Sequence, residues 1–360
     1  MGQDTEADIV ERLHPRERPD LIGHEQIERQ LLQAYRSRKL HHAWMLSGPR
    51  GIGKATLAYR FARFILRHPD VTALDPQLLS MNVAESDPVF RRIAAQGHSD
   101  LLTITRAYDP RAKRLKTEIG VDEARHASQF LSRTAGEGGW RIAIIDAADE
   151  MNGNAANAIL KSLEEPPPRT LFLLVTHIAG RVLPTIRSRC VRLELGPLRE
   201  PEVERVLGDV LPDAKTNAEA RTLAINLADG SPGRAIRLLE GGGLKLFREF
   251  VAIVEKAPNL EYGRAFEFAE KLRGAQMLDD YRLFTEILDQ WLSRQIRAAG
   301  KGESDWNGRI PLERVGVWAE KHESIMRSIH TANALNLDRR EVVVQALRLI
   351  EETARGTSLQ

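Results

Sequence analysis

Apolar positions in the first half of the chain follow two periodicities. Short runs that are apolar at nearly every position predict buried strands at 43–47, 101–105, 141–146, 171–176 and 190–195. Apolar residues three and four apart predict helices at 27–35, 55–66 and 119–133, and a further helix that ends before Pro166. Such strands alternating with helices favour an α/β parallel sheet covered on both faces.

The strand pattern ends after about residue 196. Residues 201–239 predict a small helical unit, and the periodicity from residue 244 to the end is helical. Three consecutive glycines at 241–243 indicate a linker. The chain therefore predicts an α/β domain over 1–196, a small helical domain over 197–243 and an all-helical domain over 244–360. Residues 68–100 are polar and rich in turns, with little pattern.

Composition narrows the class of protein. The 360 residues are 42% hydrophobic and 28% charged, as in ordinary globular proteins. A net charge of +2 does not by itself predict nucleic-acid binding. The single cysteine, Cys190, excludes an intrachain disulfide and a cysteine-rich zinc site. No apolar stretch has the length of a membrane span or a signal core, so we expect a cytoplasmic protein without membrane contact.

A phosphate-binding loop of the form G-x-x-x-x-G-K lies between the first strand and the following helix. The glycines allow a tight turn whose backbone N–H groups face phosphate, and the lysine reaches the outer phosphates. A glycine-rich turn without a ligand is the alternative. The residues of the predicted nucleotide site here are Gly48, Pro49, Arg50, Gly51, Ile52, Gly53, Lys54, Ala55 and Thr56.

One position of the loop departs from the pattern. The lysine is normally followed by Ser or Thr, whose hydroxyl holds Mg²⁺, and this chain has Ala55. Thr56 is about 100° further around the helix and is a poor substitute. We therefore expect ATP or ADP to bind with Mg²⁺ held weakly.

A second motif, which is acidic, lies at the end of the third predicted strand. Asp146 ends that strand as the metal-holding aspartate of a Walker B element does. The catalytic glutamate that would follow it is replaced by Ala147. Asp149 and Glu150 lie too far along the chain, and we interpret them as acids at the N-terminus of a helix.

Three segments resemble the clamp-loader subunits of bacterial DNA polymerase III, which are AAA+ proteins. They are Lys39 to Pro49, Asn157 to Pro167 with its Leu-Glu-Glu-Pro-Pro sequence, and Leu183 to Cys190 with its Ser-Arg-Cys signature. The resemblance implies an AAA+ P-loop (RecA-like) domain, a helical lid and a C-terminal oligomerisation collar. Within this family, Ala55 and Ala147 resemble the delta-prime type, which hydrolyses little or no ATP.

The resemblance also implies roles for individual residues. Arg189 matches the arginine finger, which acts in trans on ATP held by a neighbouring motor subunit; the alternative is that Arg189 pairs with a local carboxylate. Thr176 matches the sensor-1 position and Arg234 the sensor-2 position. Residues 21–24 resemble the segment that packs on adenine.

The partners implied are the gamma/tau and delta subunits, the sliding clamp and primer-template DNA. Many relatives carry a four-cysteine zinc module after the loop helix. Residues 67–100 lack cysteine, and His68 and His98 are too few to bind zinc, so we expect none. The basic stretch 111–116 is interpreted as a solvated loop, with DNA contact as the alternative.

Two other classes of function compete with this one. The first is an active AAA+ ATPase, either a gamma/tau-like motor or a helicase-type motor. The second is a small-molecule P-loop kinase, which is disfavoured because the chain lacks a lid with clustered arginines.

Overall fold

The structure is a computed structural model that describes residues 14–75, 77–109, 114–137, 139–211, 218–274, 277–303, 306, 308–335 and 337–356. These residues group into two compact units. The first lies within 1–214 and includes Asp229–Arg234, and the second lies within 215–228 and 235–360. The boundary expected at 196 falls inside the first unit and the glycines at 241–243 fall inside the second. The division into three domains stays a prediction.

Strands and helices alternate along the first unit. In chain order they are α1 (Glu25–Arg36), β1 (Ala43–Ser47), α2 (Lys54–Arg67), α3 (Pro88–Ala94), β2 (Leu101–Ile104), β3 (Tyr108–Asp109), β4 (Arg114–Leu115), α4 (Val121–Ser132), β5 (Arg141–Asp146), α5 (Gly153–Glu164), β6 (Thr170–Thr176), α6 (Pro184–Arg187), β7 (Val191–Glu194) and α7 (Glu200–Val210). The second unit contains α8 (Ala218–Ala228), most of α9 (Pro232–Glu240), α10 (Gly243–Val254), α11 (Tyr262–Lys271), α12 (Leu278–Gly300), α13 (Val315–Leu335) and α14 (Arg339–Arg355).

Five strands form one parallel sheet in the order β2-β5-β6-β1-β7. All seven residues of β6 are buried, and so are the first five of β5. Ala143 and Ile145 share a core with α4 and α5 on one face, and α2 packs against β1, β5 and β6. The predicted parallel α/β sheet of a P-loop fold is confirmed, because strands apolar at every position are buried on both faces.

The stretch 68–100 contains more structure than its sequence pattern predicts. Helix α3 begins at Pro88, and the carboxylate of Asp87 accepts a hydrogen bond from the backbone N–H of Val89. Asp followed by Pro is a recognised helix start, and only seven residues follow, which is too short for a visible periodicity. The sequence pattern therefore predicts no element over residues 88–94, where the structure has this helix.

Strands β3 and β4 form an antiparallel hairpin in which Tyr108 pairs with Leu115, and both side chains are exposed. Arg114 and Leu115 of the basic stretch form β4, and residues 110–113 lie outside the described residues. Whether this stretch touches DNA stays open.

The second unit is helical, as predicted, and its core is rich in aromatic rings. The Trp291 ring lies 5.2 Å from Phe250 and 4.8 Å from Trp306, and Trp306 lies 5.4 Å from Trp318. Edge-to-face packing of this kind stabilises a helical core beyond the area that it buries. Within the described ranges, no helix is both long and apolar enough to cross a membrane.

Candidate functional site

The chain turns sharply between β1 and α2 because glycines there adopt conformations that other residues avoid. The φ angles of Gly48 and Gly51 are 144° and 77°. A Cβ atom at Gly48 would lie 2.2 Å from the carbonyl oxygen of Leu195, and one at Gly51 would lie 2.6 Å from Ser231 Oγ. Both positions therefore require glycine, as a phosphate-binding loop does.

Lys54 is the first residue of α2, and its side chain lies over the loop. It is buried, and its ammonium donates hydrogen bonds to the carbonyl oxygens of Gly48, at 2.7 Å, and Pro49. Burial lowers the pKa of Lys54 to about 8, against the opposing effect of Asp146 and Asp149. The lysine is still mainly positive at pH 7, as a phosphate-binding group must be.

The segment 229–234 forms hydrogen bonds with the backbone of the loop. Ser231 Oγ donates to the carbonyl oxygen of Arg50 at 2.8 Å, and the backbone N–H of Gly233 donates to the carbonyl oxygen of Gly51 at 2.9 Å. The backbone N–H of Arg234 donates to the carbonyl oxygen of Ser231 at 3.1 Å. The predicted sensor-2 residue is thus placed next to the loop, although 180 residues separate them in sequence.

The segment expected to pack on adenine also lies against the loop. His24 Nε2 donates to the carbonyl oxygen of Ile52 at 2.7 Å. A Cβ atom at Gly53 would lie 3.4 Å from Leu21 Cδ1 and 3.7 Å from His24 Cδ2. Burial lowers the pKa of His24, so its ring is neutral near pH 7, with the proton on Nε2.

Asp146 and Thr176 are the last residues of β5 and β6. Asp146 pairs in register with Val175, and Thr176 with Ser47 at the end of β1, so all three strand ends lie at one edge of the sheet. Burial raises the pKa of Asp146 to about 6, although Lys54 favours its ionised form. The sheet thus brings the predicted Walker B and sensor-1 residues to the loop.

The interpretation of Asp149 and Glu150 as acids at a helix N-terminus is wrong. They lie in a 3-10 turn, Ala148–Glu150, whereas α5 is capped by Asn152. The Asp149 carboxylate accepts hydrogen bonds from the backbone N–H groups of residues 177 and 178, at 2.9 and 3.1 Å. Glu150 forms an ion pair with Arg106 at 2.9 Å. Both acids therefore hold loops at the strand ends.

No motif marks His177, yet its side chain lies at this edge of the sheet. Burial and the positive charges of Lys54 and Arg50 lower its pKa to about 4, so the ring is neutral at pH 7. Among the described residues, no hydrogen-bond partner is present for its buried Nδ1 or for the buried hydroxyl of Thr176. Its position directly after the sensor-1 strand is the only sequence signal that points to it.

Arg189 lies at the opposite edge of the sheet from the loop. It immediately precedes Cys190 and β7, and Val191 at the start of β7 pairs with Trp44 near the start of β1. The loop follows Ser47, at the other end of the same strands. Four residues at about 3.3 Å each separate the two edges by roughly 13 Å. Arg189 is therefore placed away from the loop of its own chain.

The Arg189 side chain is half-buried and is held by three groups. Nη1 donates to the carbonyl oxygen of Thr185 at 2.8 Å and to Ser188 Oγ at 3.4 Å. Nη2 donates to Glu164 Oε1 at 2.6 Å. Arg189 therefore does pair with a local carboxylate, which was the alternative in the sequence analysis. This carboxylate belongs to the Leu-Glu-Glu-Pro-Pro segment.

One group of three possible metal ligands occurs in the described part of the chain: His98, Asp100 and Glu137. Other bonds engage these side chains. His98 Nδ1 accepts from the backbone N–H of Asp100, whose carboxylate accepts from the backbone N–H groups of Gly136 and Glu137. Glu137 pairs with Arg92. These residues therefore brace loops, and the expectation that no zinc binds stays a prediction.

Comparison with known proteins adds to this geometry. The profile of a family described as DNA polymerase III, delta subunit, matches residues 23–199. A DNA polymerase III subunit delta' of Pseudomonas aeruginosa is 36% identical over 205 residues, which are 57% of each chain. A DNA polymerase III subunit gamma of Buchnera aphidicola is 28% identical over 64% of this chain and 60% of its own. The chain thus spans little more than half the length of these relatives.

Among solved structures, a DNA polymerase III gamma subunit-related protein of Thermotoga maritima is similar over 91% of this chain and 100% of its own. The sequence identity is 17% and the TM-score is 0.41. This likeness is distant, and no residue's role rests on it.

Proposed function

We propose that this chain is a member of the clamp-loader family of DNA polymerase III and acts within it as a delta-prime-type subunit. In this proposal it helps to load the sliding clamp onto primed DNA during replication. It supplies Arg189 as an arginine finger to ATP held by a neighbouring motor subunit and hydrolyses little ATP itself. Its partners are the gamma/tau and delta subunits, the sliding clamp and primer-template DNA.

The position of Arg189 is the observation that supports its proposed role as an arginine finger. Its guanidinium is partly exposed, with 34% of the side chain accessible, at the sheet edge opposite its own loop. A planar, permanently charged group at such an edge is placed to approach phosphate held by a neighbouring subunit and not phosphate in its own loop. Fingers of this kind raise kcat by about 10³–10⁵-fold.

Weak hydrolysis by the chain's own loop is supported by which groups are missing. Ala55 offers no hydroxyl to Mg²⁺, and Ala147 offers no carboxylate to orient water. Asp149 and Glu150, the nearest acids after them, already bind backbone N–H groups and Arg106. The loop still has the lysine and the glycine turn, so in this proposal ATP or ADP binds there, with Mg²⁺ held weakly.

The test replaces Arg189 in a loader reconstituted with gamma and delta subunits. We expect Arg189→Ala to leave folding and assembly intact and to lower DNA-stimulated ATP hydrolysis several-fold, because one motor site loses its finger. Arg181→Ala is the matched control, since Arg181 is an exposed arginine eight residues away. An unchanged rate in Arg189→Ala, with assembly shown by gel filtration, would remove the finger from the proposal.

An active AAA+ motor remains the second candidate. It is favoured by the complete Gly-and-Lys loop with Asp146 beside it and by the similarity to a gamma subunit.

A further inference from the structure

Glu164 and Arg189 join two motifs that lie 25 residues apart. Glu164 is the last residue of α5, and Arg189 follows α6, so the ion pair connects the ends of two helices. The backbone of Arg189 is also fixed, since its N–H donates to the carbonyl oxygen of Ile186 at 3.0 Å. Both the backbone and the guanidinium of this arginine are therefore tied to the chain.

We propose that Glu164 is a positioning residue that holds Arg189 ready for a neighbour's phosphate, which rests on the proposed role of Arg189 as a finger. A free arginine side chain populates many rotamers, and it loses that conformational entropy when it binds. An arginine already held by Glu164 and Thr185 has less to lose. The pair therefore lowers the free-energy cost of placing the guanidinium in the transition state.

Stability alone does not account for this pair. The Glu164 side chain is 48% exposed and that of Arg189 is 34% exposed. Ion pairs that water can reach contribute about 0–1 kcal/mol to folding. The value of the bond lies instead in where it places the guanidinium.

The number of donors on the guanidinium indicates that the bond between Arg189 and Glu164 need not break when phosphate binds. A guanidinium has five N–H donors. Thr185 and Ser188 engage Nη1, and Glu164 engages Nη2. Among the described residues these bonds engage Nη1 and Nη2 and leave the Nε–H available to a phosphate oxygen. Phosphate can therefore bind while Glu164 stays in place.

The chain offers a matched control for the carboxylate. Glu165 is the next residue, is exposed, and forms no ion pair or side-chain hydrogen bond with any other described residue. Glu165→Gln removes the same charge at nearly the same place without touching Arg189. An effect of Glu164 that Glu165 does not share cannot be a general effect of surface charge.

The experiment measures DNA-stimulated ATP hydrolysis by the reconstituted loader, with kcat and KM determined separately. We expect Glu164→Ala to lower kcat about fivefold, which corresponds to about 1 kcal/mol, with KM for ATP unchanged. Glu164→Gln, which keeps a carbonyl oxygen to accept the bond, falls between wild type and Glu164→Ala. Glu165→Gln matches wild type.

Further outcomes separate the positioning role of Glu164 from the finger role of Arg189. If Glu164 acts through Arg189, Glu164→Ala has no further effect in an Arg189→Ala background. A loss that persists in that background, or an unchanged or raised kcat in an assembled Glu164→Ala loader, overturns the positioning role and leaves the finger standing. An unchanged rate in Arg189→Ala alone instead removes the finger from the proposed function, and the positioning role with it. If the loader with Glu164→Ala does not assemble, the kcat of the loader with Glu164→Gln tests the positioning role.

Discussion

Lys54, Asp146 and His177 interact at the edge of the sheet where β1, β5 and β6 end, and burial shifts the pKa of each. Burial disfavours the charged form, so the acid moves up to about 6 and the two bases move down to about 8 and 4. At pH 7 the lysine and most of the aspartate are therefore charged, and the histidine is neutral.

Cys190 provides a test of burial at a single residue. Burial raises the pKa of its thiol to about 12, and the residue packs against the core below the sheet. Relative to a thiol of pKa about 9, roughly a thousandfold less thiolate is present at pH 8. We expect the folded chain to react with a disulfide reagent far more slowly than the chain in denaturant. Equal rates would show that the thiol is accessible.

At the scale of elements, the sequence patterns place every strand of the main sheet to within a residue or two. The strand expected at 171–176 is observed as Thr170–Thr176, and the one expected at 190–195 as Val191–Glu194. Periodicity does not reveal elements shorter than two turns or strands of two residues. Helix α3 and the β3–β4 hairpin are accordingly visible only in the structure.

The close contact between the loop and segment 229–234 predicts how a methyl group added at Gly51 changes the stability of the chain. We expect Gly51→Ala to destabilise the chain by about 1–3 kcal/mol, because φ is positive there and the new Cβ would lie 2.6 Å from Ser231 Oγ. The free energy of unfolding from urea titration measures this.

Gly180→Ala is the control, because no atom lies within 4 Å of the Cβ it would gain. Its effect should stay within about 0.5 kcal/mol. Equal losses in the two variants would show that segment 229–234 does not press on the loop.

At the scale of the whole molecule, the parallel sheet separates two kinds of chemistry. The predicted phosphate loop lies at the carboxyl ends of the strands, and Arg189 with Glu164 lies at the amino ends. In the proposed function, the first edge holds the subunit's own nucleotide and the second reaches a neighbour's.

The isolated chain tests this account. We expect no metal-dependent ATP hydrolysis, and we expect Lys54→Ala to weaken ADP binding by about tenfold or more in calorimetry, because a charged hydrogen-bond donor is lost. Lys245→Ala, at an exposed lysine of α10, is the control. Magnesium-dependent hydrolysis that Lys54→Ala abolishes would instead establish the active motor. Absence of any ADP binding would restrict the loop to a structural role.

The sequence by itself determined the sheet strands, the loop, Asp146 and the signatures around Arg189, because each depends on residues close together in the chain. Only the tertiary structure decided which groups meet across long separations. Ser231 reaches Arg50 across 181 positions, His177 meets Asp149 across 28, and Arg189 meets Glu164 across 25. Local periodicity records which face of an element is buried, whereas such contacts depend on how the elements pack.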